Sequence, residues 1–288
     1  ETIDRTVTPM GARRLRQWIR SPLADAAAIG RRLEAVTVFF ADGPGRRRLR
    51  DALDGVRDIE RLAGRAAAGR ATPRELGALR DSLLRLPDAL SALTGLKDRG
   101  ASDLVGGIER DFDLLSDLAT RLAAALSDRP PGALVDGDVI RAGFDAELDE
   151  LRSLRDGSRS YIASLQERER ARTGIGSLKV GYNKVFGYYL EVTHAQAGRV
   201  PPDYERRQTL TGAERYVTPE LREYEAKVLG AEEGMGRREA QLFGALRDEA
   251  GSAAPRLQGT ARALAQLDVW AGLAELAESH QYVRPVVD

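Results

Sequence analysis

At 288 residues and 42% apolar content, the chain is long enough for one to three compact units with their own cores, which excludes a disordered protein. Its 44 basic and 44 acidic residues cancel, so whole-chain charge gives no argument for nucleic acid and any such partner must be argued locally. The absence of cysteine excludes a disulfide framework and thiolate metal sites and favours a reducing, cytoplasmic setting, while no apolar run of 18 residues and no secretory core is present.

The sequence opens on Glu1 rather than Met and reads as a fragment boundary. Three Thr-Pro pairs, Thr8-Pro9, Thr72-Pro73 and Thr218-Pro219, predict helix starts, because Thr caps free amides and Pro suits the first helical position. Glu75, three residues after Thr72, completes a capping box. Helices are expected at 9–20, 25–41, 46–54, 56–68, 73–86, 88–94 and 102–127, and the Pro130-Pro131-Gly132 break followed by Asp136-Gly137-Asp138 predicts a linker over 128–140. From Asp145 to Arg172 there is no proline, which predicts one helix of about 42 Å at 1.5 Å per residue. Leu148, Leu151, Arg155, Ser158, Ile162 and Leu165 give it an imperfect seam.

A β-type island follows, from Ser177 to Leu221. Leu178, Val180 and Tyr182 alternate with Lys179 and Gly181, and Tyr188, Leu190 and Val192 alternate with Tyr189 and Glu191, so two half-buried strands form a hairpin across residues 183–187. Two more strands are expected at 207–210 and 215–217, joined through Thr211 and Gly212, giving a small antiparallel sheet. Tyr182 and Tyr188 are expected in its core, and Phe186 is open to a stacking role.

Beyond the island, Leu221, Tyr224, Val228, Ala231, Met235, Arg238, Leu242 and Ala245 repeat at alternating spacings of three and four, a coiled-coil seam in which only Arg238 is out of character. Two long helices entering and leaving one sheet can pair antiparallel and form an arm. The tail, with Leu257, Ala261, Leu264, Leu267, Val269, Trp270, Leu273 and Leu276, returns as helix to the helical body and stops at Pro285.

No constellation points to catalysis. No Gly-Lys dipeptide occurs, so there is no P-loop, and the glycines at 174, 176 and 181 precede a strand, the reverse of a dinucleotide fingerprint. His194 and His280 have no metal or triad spacing, and the carboxylates Asp149, Glu150, Glu167 and Glu169 sit among arginines as solvated ion pairs. Within the island Lys179, Lys184, Arg199, Arg206, Arg207 and Arg215 outnumber Glu191, Asp203, Glu205 and Glu214. With Asn183, His194 and Gln208 they could touch phosphates, contacts that position a protein on a duplex without reading sequence. A solvated sheet surface explains the same charges.

LKVGYNKVFGYYLEVT at 178–193, RRQTL at 206–210, AERYVTPEL at 213–221 and YEAKVLGAEE at 224–233 resemble the clamp and lever helices of the bacterial-type MutS DNA mismatch repair proteins. TPMGARRLRQWIRSPL at 8–23, RRLEAV at 31–36, RDIERLAGRAAAGRATPREL at 57–76, GFDAELDELR at 143–152 and RERARTGIGSLKV at 168–180 extend the likeness over nearly the whole chain. The resemblance implies a mainly α fold: a helical core with an ascending lever helix over 1–170, a β clamp over 171–218, and a descending lever helix returning to the core over 219–288. It implies that the clamp grips the backbone of double-stranded DNA through Lys179, Asn183, Lys184, His194, Arg206, Arg207, Gln208, Thr211, Gly212 and Arg215. The family carries Lys and Asn or Asp where this chain has Thr211 and Gly212, so one cation is missing from that turn, although the Gly212 amide can donate.

The same resemblance places mismatch reading before Glu1 and ATP hydrolysis, with Mg, after Asp288, so this stretch is expected to be noncatalytic and without cofactor. It implies a homodimer partner and a MutL-type repair protein for the longer protein, in a nucleoid-associated setting and away from membranes. The competing readings are a MutS-like homologue acting on recombination junctions and a coiled-coil adaptor that binds protein.

Overall fold

The computed structural model describes residues 3–97, 107–108, 112–183, 185 and 187–287. It divides into two compact units, Glu1–Arg141 with Leu242–Asp288, and Ala142–Gln241.

The first unit is helical: α1 (Pro9–Arg20), α2 (Ala26–Ala41), α3 (Gly43–Leu53), α4 (Ile59–Ala67), α5 (Pro73–Leu83), α6 (Leu86–Lys97) and α7 (Ser116–Ala125). Helices α1 to α5 are each started by a side chain that accepts from a free amide. Thr8 accepts from Gly11 N at 3.0 Å, and Thr72 and Glu75 close the expected capping box. Asp42 accepts from Gly45 N at 3.0 Å, which starts α3 three residues before the expected position.

The helix expected over 102–127 is not continuous. Of its first part only 107–108 are described, and residues 112–115 belong to no helix or strand. There Asp113 N donates to Thr260 Oγ1, Thr260 Oγ1 donates back to Asp113 O at 2.7 Å, and Leu115 adopts φ 46°, so the backbone is satisfied by a buried threonine instead of a helical turn. The 128–140 stretch is a closed loop, pinned where Ser127 N donates to Val139 O at 2.9 Å and Arg141 N donates to Ala125 O at 2.8 Å.

The axis of this unit is α11 (Ala254–His280), against which α1, α2, α3 and α4 pack. Leu257, Leu264, Leu267, Val269, Ala271 and Ala274 are fully buried on it, so most of its circumference is apolar, as befits a central helix, while Arg256, Gln258 and Arg262 are exposed. It ends at His280, with Gln281 in the left-handed region, five residues before the proline expected to stop it. Two buried polar groups lock the packing. Arg46 is completely buried, donating to Glu275 at 2.9 Å, to Glu278 and to Phe39 O at 3.0 Å. Asp268, also completely buried, accepts from Val7 N, Thr8 N and Thr8 Oγ1 at 2.9, 2.8 and 2.6 Å, which fixes the entry to α1. Gly11 is required beside it, because any Cβ would fall on the Asp268 carboxylate.

The second unit contains α8 (Ala146–Asp156), α9 (Ser158–Thr173), four strands, and the first part of α10 (Pro219–Ser252). The single helix expected over 145–172 is interrupted at Gly157, a tight turn where a side chain would crowd Ser153 O. At 34 residues α10 spans about 51 Å at 1.5 Å per residue. It starts where Thr218 Oγ1 accepts from Leu221 N at 3.2 Å, completing the third Thr-Pro start.

The helices of this unit run antiparallel, joined by long side chains. Arg238 forks onto Asp145 at 2.8 and 3.0 Å, Arg152 reaches the buried Glu239 at 3.0 Å, and Leu151 fills the space left by Gly234. Tyr161 stacks on Tyr224 at 3.7 Å, and Tyr161 and Arg168 both donate to Glu220, at 2.8 and 2.6 Å. Arg238, out of character in an apolar seam, is thus the partner of the residue that caps α8. The seam itself drifts: Ala245 is exposed, whereas Val228, Glu239 and Ala250 are buried at intervals of eleven residues, with Phe243 and Leu246 between. That interval, ~3.67 residues per turn, suits a nearly straight helix better than a left-handed supercoil.

Burial pushes the Asp268 carboxyl above the ordinary range, against the pull of its donors from Thr8 and Val7. The folded chain therefore holds a proton there more readily than the unfolded chain, and this site's contribution to stability falls as pH rises through the raised pKa. Asp268→Ala strands three buried donors and is expected to cost about 3 kcal/mol, read as a lower urea midpoint at unchanged slope.

Candidate functional site

The four strands are β1 (Lys179–Asn183), β2 (Gly187–Thr193), β3 (Glu205–Thr209) and β4 (Ala213–Val217). They form one antiparallel sheet in the order β1-β2-β4-β3. Leu190, Val192, Tyr204, Tyr216 and Val217 close over Leu165, Ile175, Leu178 and Leu221 in one buried cluster. Tyr188 and Val180 pack against it, but Tyr182, expected in the core, is 55% exposed and only tilts against Tyr188 at 5.0 Å. It lies one residue from the end of β1, past the edge of the cluster.

Polar ties position the sheet on α9. Gln166 Oε1 accepts from Val180 N at 2.9 Å, and Arg170 donates to Leu178 O at 2.8 Å. These two residues were not anticipated, although their spacing of four, one face of a helix, was the available signal. Glu169, expected to be solvated, is buried and accepts from Tyr204 Oη at 2.8 Å and from Arg172, which also binds Asp203 at 3.0 Å. Burial, then the Glu169 hydrogen bond, pushes the Tyr204 hydroxyl far above its ordinary pKa, so it stays a donor.

The other face of the sheet carries a transverse row, Lys179, Glu191, Arg215 and Gln208, one residue from each strand. Arg215 is the knot in it. It donates to Glu191 and to Gln208, both at 3.0 Å, and its guanidinium lies 4.1 Å from the Tyr189 ring. Tyr189 in turn lies over Gly181, where a Cβ would come within 2.7 Å of the ring.

The remaining expected residues are distributed over both ends of the sheet. Asn183 is at the β1–β2 hairpin, where its Oδ1 accepts from Val185 N at 2.8 Å; Lys184 and Phe186 lie outside the described residues. Gly187 there has φ +74°, a left-handed conformation that favours glycine, and lies against the Glu225 carboxylate of α10. At the opposite end, His194 Nε2 bonds Leu210 O at 2.9 Å and its backbone N–H donates to Gly212 O, which gathers His194, Thr211 and Gly212 into one exposed corner. Arg206 and Arg207 lie on the edge strand β3, where the ladder skips from Arg206 to Gln208, so Arg207 is the extra residue of a bulge.

The cations differ in availability. Arg206 binds Glu214 at 3.3 Å, and the Tyr216 hydroxyl, with help from Arg206, holds the Glu214 carboxyl below its ordinary range despite some burial. Among the described residues Lys179 and Arg207 have no hydrogen-bond or ion-pair partner, and both are exposed. No helix among the described residues is long and apolar enough to cross a membrane, and no group of three His, Cys, Asp or Glu is placed to hold a metal.

A family model described as MutS domain III matches residues 1–274. The chain is 48% identical over 286 residues to a DNA mismatch repair protein MutS of Salinibacter ruber, covering 99% of this chain and 31% of the relative. It is 46% identical to the protein of that name from Symbiobacterium thermophilum and 48% identical to that from Anaeromyxobacter dehalogenans, covering 99% of this chain and 32% of each. The chain thus spans about a third of the length of the curated relatives it matches.

Gly181→Ala tests the outer face of the sheet. It is expected to displace the Tyr189 ring from over β1, abolish the upfield shift of Arg215 side-chain protons in NMR spectra, and lower stability by about 1–3 kcal/mol.

Proposed function

We propose that this chain, which belongs to the MutS domain III family, holds duplex DNA by its phosphate backbone through the small sheet and couples that grip to the rest of a longer mismatch repair protein through its helices. On this reading 171–218 is the clamp, 1–170 carries the helical core and the ascending lever, and 219–288 carries the descending lever and its return to the core. Mismatch reading, ATP with Mg, the homodimer contact and a MutL-type partner belong to the longer protein.

The observation that carries the reading is the pair of exposed, unpartnered cations Lys179 and Arg207 on one four-stranded sheet, with Arg206 held only by a surface pair and Lys184 in the hairpin sequence between β1 and β2. A phosphate can take such cations without first breaking a buried salt bridge, whereas Arg215, fixed between Glu191, Gln208 and Tyr189, suits a structural role in supporting that face. The exposed Gly212 amide adds a backbone donor at one corner.

Duplex binding followed across a salt series tests this. Affinity should fall steeply with salt and show no mismatch preference, and Arg207→Ala or Lys179→Ala should each reduce the slope of log K against log salt by about 0.9. Salt-independent binding untouched by these changes would favour the protein-adaptor reading, and a strong mismatch preference by this chain alone would overturn the division of labour. In the full-length protein, Val228→Pro breaks α10 at a cost of roughly 3 kcal/mol. It should leave duplex binding intact while uncoupling it from ATP state.

A further inference from the structure

Within the first unit, α1 and α11 enclose a cleft of about 610 Å³, with Met10, Ala261 and Ala265 on its apolar floor. Five arginines line it, Arg13, Arg14, Arg16, Arg20 and Arg262, against a single acidic residue, Glu60. Glu60 is already bound by Arg13 at 2.7 Å, and Arg13 also holds Asp58. Among the described residues the other four arginines have no hydrogen-bond or ion-pair partner. Arg14 is the most telling, because its Nε is buried and unsatisfied. A smaller recess shares Arg14 and Gln17 with the cleft and adds Trp18, with the Arg32 guanidinium 3.8 Å from its ring.

Elsewhere in this unit some arginines have built acidic partners. Arg46 binds Glu275 and Glu278, and Arg256 forks onto both Asp113 and Asp117. The whole chain has equal numbers of acids and bases, so five arginines around one cavity against Glu60 alone in its lining are a local excess, with Arg16 also close enough to Asp4 to lower that carboxyl's pKa. Burial, then the nearby charge of Arg14, disfavours the charged form of Arg32 in the adjoining recess. An anion bound in the cleft offsets that local positive charge.

We propose that this cleft binds a multiply charged phosphate ligand through the planar forks of Arg14, Arg16, Arg20 and Arg262. Phosphate is favoured over carboxylate by density. Arg13 to Arg20 are seven residues apart, about 10 Å along the helix, and a polyphosphate packs more charges and acceptor oxygens into that distance than a chain of carboxylates does. The cavity is also of small-ligand size. The site is separate from the sheet and stands whether or not the sheet holds DNA. The phosphates can come from a free polyphosphate or from a nucleic-acid backbone.

Tripolyphosphate and a short DNA duplex, each titrated calorimetrically into the whole chain at low salt, separate these sources. Arg14→Gln with Arg262→Gln is expected to weaken tripolyphosphate binding at least about tenfold, as loss of charge-assisted bonds requires, and Arg207→Gln on the sheet should leave it unchanged. Arg14→Lys keeps the charge but not the fork, and should still lose about half of that effect on the logarithmic scale. Weakening of the duplex by the cleft variants assigns the site to a nucleic-acid backbone, and weakening of tripolyphosphate alone assigns it to a free polyphosphate. Unchanged binding of both ligands, or tighter binding of a short polyglutamate peptide than of tripolyphosphate, overturns the proposal, the latter in favour of an acidic protein segment. Unfolding midpoints of the variants, expected within 2 °C or so of the parent, show that the changes act on the cleft and not on the fold.

Discussion

Leu165, Ile175 and Leu178 meet Leu190, Val192, Tyr216 and Leu221 in one buried cluster, and the small sheet depends on that meeting. Strands of five, seven, five and five residues bury too little on their own to offset the entropy of ordering them. Here one face is closed by the end of α9 and the start of α10, so the opposite face is left to polar residues. The transverse row Lys179, Glu191, Arg215 and Gln208 is the consequence: with period two, every residue withdrawn into the cluster sends its neighbour outward. The candidate interface exists because the apolar side is spoken for.

Many charges in this protein are paired at short range, and its zero net charge says little about any one surface. Arg238 with Asp145, Arg152 with Glu239, Arg168 with Glu220 and Arg172 with Asp203 each join two elements of the second unit. The exposed pairs among them contribute little stability individually. Those reaching a buried acid, such as Glu239 or Glu169, carry a larger penalty if either partner is removed. Against this background an unmatched cation stands out, and counting partners locates candidate phosphate contacts better than counting charges.

Much of the architecture was legible in the sequence because it is written in local chemistry. The three Thr-Pro starts, the Thr72–Glu75 box and the alternation in β1 and β2 are short-range patterns, and they appear where the residues put them, apart from Tyr182, which is exposed near the end of β1. What could not be read depended on distant partners. Thr260, far along the chain, satisfies Asp113 and ends the expected helix, and nothing near Asp113 announces it. Glu169 looked like a surface acid until Tyr204 covered it. The heptad spacing through Leu242 and Ala245 matched a supercoil, but Phe243 and Leu246 were equally apolar and a straight helix selects them. In the site, the residue types were legible but not their availability: Arg207 and Arg215 are alike in sequence, and only the register shows that one is free while the other is tied.

The bulge at Arg207 has a consequence for how this surface can change. The β3 strand is one residue longer than its partner requires, so its length is not under the constraint that governs a regular ladder. A one-residue deletion there would leave Arg206 opposite Tyr216 and Gln208 opposite Arg215, preserving both hydrogen-bonded neighbours while removing the cation. An equal deletion in β2 would invert every side chain from the cluster to solvent. Insertions and deletions, usually the most damaging changes to a sheet, are at this one position a way of adjusting surface chemistry without refolding the strand.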